Sequence, residues 1–250
     1  IIMLHLINFP RTLGMKILNR IIELNSAAST NSYAKHLLES GYAWEGDIIV
    51  SDEQTDGYGK VGSVWFSPHG GFYISFILPR TCKKDGLMPF LALIVAETLN
   101  QLGIRCSLKW PNDIIHKSKK LGGILAEEFK NHIIAGVGIN TFSSEFIPED
   151  LLSKAIAVEL NSEQKQKLLK GLIANLDTAL SDFIKKGFSA FVTRWNSYSF
   201  NLNERVNVKD GDNILTGLFC GVDEKGGMIL ATKEGRIKVE RGDVLLQNED

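Results

Sequence analysis

Apolar and polar positions divide the chain into blocks with distinct periods. Over Ser29–Gly41, Tyr33, Ala34, Leu37 and Leu38 recur at helical spacing, behind the cap formers Ser29, Thr30 and Asn31 and ahead of Gly41. DIIVSDEQ predicts a short strand running into a glycine-rich stretch. VWFS and FYISFILP, separated by PHGG, are rich in aromatic and β-branched residues and predict the two strands of a hairpin. MPFLALIVAETLNQLG (88–103) is apolar almost all round, so it predicts a helix buried on most sides and ended by Gly103. IRCSLKW, LGGILAEEF and HIIAGVGIN read as antiparallel neighbours, joined by PNDIIHKSKK and by a turn at Lys130–Asn131. Residues 161–186 predict a long amphipathic helix with Leu168, Leu169, Leu172, Ile173, Leu176, Leu180, Phe183 and Ile184 on its apolar stripe, closed by Gly187. A shorter helix is expected around FSAFVTRW.

From about Leu202 the texture changes to short strands punctuated by D-G, K-G-G and E-G, which fits a small β-barrel. Strands and helices are mixed without regular βαβ alternation. The expected fold is α+β, a mixed or antiparallel central sheet flanked by helices over residues 15–200, with a small C-terminal barrel over 201–250. Residues 1–14 read as an N-terminal extension, with Met15 as the more natural beginning.

Composition narrows the classes. The 250 residues are 44% hydrophobic and 23% charged with a formal net charge of −1, an ordinary globular balance without the cationic excess of a nucleic-acid coat. The expectation is no nucleic acid and no membrane, since no stretch approaches the roughly 18 apolar residues of a span. Three widely spaced cysteines, with no C-x-x-C pair, fit reduced thiols in a cytoplasm and argue against a structural zinc site, so no metal ligand is singled out.

Gly57, Gly59 and Gly62 are spaced G-x-G-x-x-G, the fingerprint of a dinucleotide turn. That turn needs a helix N-terminus behind it to hold pyrophosphate, but the residues after Gly62 are strand-like, so the dinucleotide reading fails on context. The glycines still let backbone N–H groups approach a ligand closely, and Lys60 among them favours an anion, although a plain connection would use the same residues. Three further stretches draw attention: LKWPND (108–113), where Lys109 ends an apolar strand; KKLGGILAEE (119–128), where two glycines follow Lys120; and AGVGIN (135–140), ending in Asn140. Taken singly, each also reads as an ordinary turn or close backbone approach.

In their order and spacing, Q-T-x-G-x-G-x-x-G-x-x-W, K-W-P-N-D, K-L-G-G-I-L-x-E and G-V-G-I-N together resemble the biotin–protein ligase family, over roughly Asn25 to Leu246. The resemblance implies an enzyme that makes biotinyl-5′-adenylate from biotin and ATP with Mg²⁺, then passes biotin to a lysine of a carboxylase's biotin-carrier domain. It implies a biotin site built from Ser29, Thr30, Asn31, Gln54, Gly57, Tyr58, Gly59, Lys60 and Tyr73, with Lys120 as the catalytic lysine beside the reacting carboxylate and α-phosphate. It implies nucleotide contacts at Lys60, Trp65, Lys109, Asn112 and Asn140.

The chain departs from the family in one respect within the loop. The family loop commonly reads like G-R-G-R-x-G-R-x-W; here those arginine positions carry Tyr58, Lys60 and Ser63. Lysine lacks the bidentate phosphate geometry of arginine, so weaker retention of the adenylate is expected. Only 28 residues precede Ser29, too few for the helix-turn-helix domain that some members use as repressors, so DNA binding is expected to be missing. The open alternatives are a ligase for lipoate or another acyl acid, and a non-catalytic biotin-binding regulator. Monomer and weak homodimer are both compatible with an exposed sheet edge.

Overall fold

The computed structural model describes residues 5–8, 18–83 and 85–245. The strands of the main sheet are β1 (His5–Asn8), β2 (Arg20–Leu24), β3 (Asp47–Ser51), β4 (Phe72–Pro79), β5 (Ser107–Lys109), β6 (Asp113–His116), β7 (Lys119–Phe129) and β8 (His132–Ile139). The helices are α1 (Thr30–Glu39), α2 (Leu87–Gln101), α3 (Ser162–Lys186) and α4 (Val192–Ser197). The eight strands run in the order β1-β2-β3-β4-β8-β7-β6-β5, antiparallel except for β2 and β3, which pair in parallel across α1. Of the expected extension, His5–Asn8 form the edge strand against β2; the rest of residues 1–14, and Met15, lie outside the described residues.

The period-two pattern of the strands decides which helix covers which face. On β4, Phe72, Ile74, Phe76 and Leu78 pack into the large core with α2 and α3, while Ile77 packs on the other face with Ala34 of α1. The continuous apolar surface of α2 is explained by this position between sheet and α3, where Phe90 stacks on Phe183 with centroids 4.4 Å apart. On β7 and β8 the same alternation leaves Gly123, Gly136 and Gly138 on the face away from α2. A floor with almost no side chains is thereby created on the α1 side of the sheet.

The C-terminal strands β9 (Arg205–Asp210), β10 (Asn213–Val222), β11 (Met228–Thr232), β12 (Gly235–Val239) and β13 (Asp243–Leu245) form an antiparallel sheet in the order β12-β11-β10-β9-β13. Among the described residues no pairing joins β12 to β13, so the expected barrel is a five-stranded sheet. Its core residues Val208, Phe219, Met228 and Leu230 are continuous with the main core. The Trp110 indole spans the junction, donating from Nε1 to the Gly226 carbonyl at 2.9 Å.

The expected VWFS–FYISFILP hairpin does not form. The antiparallel partners of β4 are β3 and β8, and Val64–Phe66 belongs to the glycine loop, with Val64 88% exposed. The connection PNDIIHKSKK also contains a strand, β6, whose four residues are hidden in sequence between Pro111-Asn112 and a tight turn at Lys117 and Ser118.

Candidate active site

One cavity of about 520 Å³ opens on the glycine floor. Ser29, Thr30, Asn31, Gln54, Tyr58, Gly59, Lys60, Trp65, Lys109, Asn112, Lys120 and Asn140 all line it. Two expected residues do not. Tyr73 is 1% exposed and donates its hydroxyl to the Pro68 carbonyl at 3.1 Å; burial pushes its phenol well above the ordinary range. Gly57 lies behind the cavity wall, where an added Cβ would meet Ser67 Oγ at 2.5 Å and Gln54 Nε2 at 3.0 Å.

The first end of the cavity is neutral and polar. Ser29 caps α1, accepting from the Ser32 N–H, so the first turn of the helix is fixed at the cavity edge. Gln54 Oε1 accepts from the Thr30 N–H at 2.9 Å, and Gln54 Nε2 donates to Ser67 Oγ at 3.0 Å. From β4, Ser75 Oγ lies 2.7 Å from Thr30 Oγ1 and 2.6 Å from Asn31 Oδ1. The three residues Thr30, Asn31 and Ser75 are buried, yet every one is hydrogen-bonded, as buried polar groups must be. Gly136 makes room for this set, because a Cβ there would fall 2.6 Å from Asn31 Oδ1.

The middle is a glycine floor roofed by an indole. Gly123 and Gly138 are directly paired across β7 and β8. Trp65 lies against them: a Cβ on Gly138 would sit 2.6 Å from Trp65 Nε1, and one on Gly123 3.3 Å from Cζ3. Its Nε1 is buried and has no hydrogen-bond partner. The Lys120 ammonium is 5.1 Å from the indole centroid, within cation–π range.

The far end is cationic. Lys60, Lys109, Lys120 and Lys154 line the cavity against two carboxylates, Asp113 and Asp243. Asp113, at the start of β6, holds Lys120 at 2.7 Å and Lys109 at 3.5 Å, so one carboxylate orients two ammonium groups. Lys109 Nζ also donates to the Val244 carbonyl at 2.9 Å, and Lys60 pairs with Asp243 at 2.9 Å. The C-terminal sheet therefore supplies a wall of the cavity through β13. Asn112 and Asn140 brace this end, donating to the Ile124 carbonyl at 2.6 Å and the Ile156 carbonyl at 3.0 Å. Several lysines from separate elements thus stand where the loop itself has a single cation.

Sequence reasoning assigned no role to Ser75, Asp113, Glu127, Lys35 or Asp243. Asp113 and Glu127 lie within recognised motifs, and Ser75 is the one hydroxyl of its type in an otherwise apolar strand, FYISFILP. Lys35 and Asp243 carried no such signal; only the fold brings them to the loop.

Sheet order, glycine floor and lysine-lined cavity together define a ligase of the biotin/lipoate type. Residues 24–140 match the biotin/lipoate A/B protein ligase family, and residues 202–246 match the biotin protein ligase C-terminal domain. The bifunctional ligase/repressor BirA of Bacillus spizizenii is 30% identical over 235 residues, covering 87% of this chain and 71% of that protein. The biotin–[acetyl-CoA-carboxylase] ligase of Mycobacterium tuberculosis is 24% identical, covering 89% and 88%. The biotin protein ligase of Aquifex aeolicus, solved in complex with biotin and ATP, superposes with a TM-score of 0.79 at 31% identity, covering 90% and 97%. The chain belongs to the biotin protein ligase family.

Proposed function

We propose that this cavity binds biotin and ATP end to end, that residues 15–200 carry the chemistry and that residues 201–250 close the nucleotide side. The observation that carries the reading is the sequence of environments along one cleft: a neutral hydrogen-bonding end, an apolar glycine–indole waist and a lysine-rich end meeting at Lys120. The cyclic urea of biotin suits Ser29, Thr30, Asn31 and Gln54, its alkyl tail suits the floor under Trp65, and its carboxylate is then delivered to Lys120.

The carboxylate oxygen attacks the α-phosphorus of ATP; the bond to the bridging β-phosphate oxygen breaks, and pyrophosphate leaves with the electron pair. Two anions must approach, and the Lys120 ammonium offsets that repulsion and the charge growing on the phosphorus oxygens. Asp113 keeps that ammonium in place, which is positioning made before the reaction begins. Lys109, Lys154 and Lys60 supply further positive charge along the phosphates, Trp65 offers adenine a stacking face, and Asn112 and Asn140 shape the nucleotide end.

Among the described residues no group of three or more His, Cys, Asp or Glu is placed to hold a metal, and Asp113 is already engaged by two lysines. Mg²⁺ would enter with the triphosphate, held by phosphate and water.

In the second half-reaction the amine of an acceptor lysine attacks the acyl carbon, AMP leaves with the bond electrons, and an amide remains. The acceptor is a biotin-carrier domain of the acetyl-CoA carboxylase type, as the names of the relatives suggest. No helix among the described residues is long and apolar enough to cross a membrane. The reduced thiols of Cys82, Cys106 and Cys220 suit a cytoplasmic enzyme, and we take its working form to be a monomer or weak homodimer.

Exchange of labelled pyrophosphate into ATP tests the reading. Biotin should drive exchange, while lipoate and octanoate should not, because their apolar ends would displace water from the neutral polar end without offering the hydrogen bonds of a cyclic urea. Exchange driven by lipoate alone would overturn the assignment, and absence of exchange with every acid would make the protein a non-catalytic binder.

A further inference from the structure

Glu127 comes after Gly123 and Leu125 along the cavity face of β7, one pleat beyond the floor. Three donors converge on its carboxylate from two other elements. Lys35 Nζ lies 2.8 Å from Oε1; Asn31 Nδ2 and the Tyr58 hydroxyl both donate to Oε2, at 2.7 and 2.8 Å. Asn31 and Lys35 are one helical turn apart on α1, so both reach the same carboxylate. Lys35 also lies 3.4 Å from the Tyr58 oxygen and 5.8 Å from its ring centroid.

Tyr58 stands at a loop position where the family commonly has arginine. Across the loop it bridges Val64, and the flanking backbone bonds run from Gly59 N to Ser63 O at 2.7 Å and from Trp65 N to Gly57 O at 2.9 Å. The loop is thus a miniature hairpin, and whatever fixes Tyr58 also fixes Trp65, the roof of the cavity. The cation that balances Glu127 comes from α1, outside the loop. Burial works against the charge of both partners, but their mutual hydrogen bond and attraction outweigh it, holding the Glu127 carboxyl below and the Lys35 ammonium above their ordinary ranges.

We propose that Glu127, held by Lys35, is a positioning residue that seats the glycine loop over the cavity through Tyr58 and ties that seat to the neutral end of the site through Asn31. The chain of contacts Gln54–Thr30–Ser75–Asn31–Glu127–Tyr58 then runs unbroken from the urea-binding end to the loop. Occupancy at that end and closure of the loop are one hydrogen-bonded unit. The reaction consequence is retention: the seat opposes escape of the acyl-adenylate more than it affects its formation. The inference rests on the acyl-adenylate reading of the cavity.

The test uses the full chain and separates retention from chemistry. The intermediate is formed from labelled biotin and ATP without acceptor, and its formation and its release into a chase are timed. Tyr58→Phe and Glu127→Gln should each speed release on the order of tenfold, as expected for loss of a hydrogen bond to a charged group, with formation changed much less. Their double variant should be no faster than the worse single one, because the two changes break one bond. Lys35→Met should speed release and Lys35→Arg should restore it. Lys83→Met, which breaks the neighbouring Lys83–Glu128 pair at 2.6 Å, should release at the normal rate.

Amide hydrogen exchange over residues 55–63 of the free protein gives a second reading that needs no turnover and holds even if Glu127→Gln folds poorly. Tyr58→Phe should accelerate it. Unchanged release and unchanged exchange in Tyr58→Phe would overturn the inference, as would equal acceleration in Lys83→Met. An unmodified protein that forms no biotin-dependent intermediate would instead overturn the functional reading, and the exchange experiment would then decide the seat by itself.

Discussion

The indole of Trp65 rests so close to Gly138 that the smallest side chain at position 138 would lie 2.6 Å from Trp65 Nε1. Only glycine permits this contact, and the contact gives the cavity its roof. Gly138→Ala should therefore displace Trp65 and with it the loop, at an overpacking cost of about 1–3 kcal/mol, on the order of tenfold or more in kcat/KM for pyrophosphate exchange. Gly123→Ala, whose Cβ would meet the indole at 3.3 Å and Lys120 Cε at 3.5 Å, should cost less. Equal effects of the two substitutions would show that the roof does not depend on this closeness.

Lys120 and Asp113 should separate function from stability. Lys120 is about one-third exposed and is engaged by the reacting groups in the proposed mechanism, so Lys120→Met should lower the rate of intermediate formation on the order of a hundredfold or more while leaving the urea midpoint nearly unchanged. Asp113 is 8% exposed and neutralises two lysines. Asp113→Asn leaves Lys109 buried without its counter-charge and should lower both activity and stability, the latter by about 3 kcal/mol. A stable, inactive Asp113→Asn would assign it a direct role in the chemistry.

The elements that could be read from sequence were those whose burial keeps one regular period. The amphipathic stripe of 161–186 forms α3 at Ser162–Lys186, with Asn161 and Gln164 making a capping box, and 88–103 forms α2. VWFS misled because its composition is that of a strand, while Trp65 is spent on roofing a cavity and Val64 is left exposed. Strand β6 was concealed by the turn formers before it and by its own brevity. At the site, twelve of the fourteen residues expected from the resemblance line the cavity, and each sits in a short contiguous stretch of sequence. The network was not. Glu127 and Lys35 are 92 positions apart and Lys60 and Asp243 are 183 apart, so the pairs exist only once the topology has folded them together.

Lys60 bears on how firmly an arginine-poor loop holds its intermediate. Its pair with Asp243 is open to water, with side-chain exposures of 29% and 62%, so it contributes on the order of 0–1 kcal/mol and yields readily to a phosphate. Lys60→Arg adds a second donor to that phosphate contact and should slow release of the acyl-adenylate several-fold, as a bidentate pair exceeds a single one. Timed release into a chase measures this directly, and identical rates for the two proteins would mean that Lys60 does not grip the intermediate.

The Glu127 carboxyl gives the seat a pH signature whose sign is set by its depressed folded-state value. A carboxylate whose pKa falls on folding contributes stability that is present above its unfolded value of about 4.3 and is lost as pH drops through the lower folded value. Lys35 acts oppositely: its raised value makes its share complete below about 10.4 and lost only above that. Between roughly pH 5 and 9 both shares are therefore intact, and only the acid side distinguishes Glu127. The groups facing it are Lys35 and Asn31 from α1 and Tyr58 from the loop. The stability gap between the unmodified protein and Glu127→Gln, read as urea midpoints, should be constant from pH 7 to about 5 and narrow progressively as pH falls below the unfolded value of about 4.3, as the protonated acid comes to resemble the amide. A gap that does not narrow at all below about pH 4.3 would mean that Gln disturbs packing at β7, and the carboxylate charge would then have no part in holding the loop.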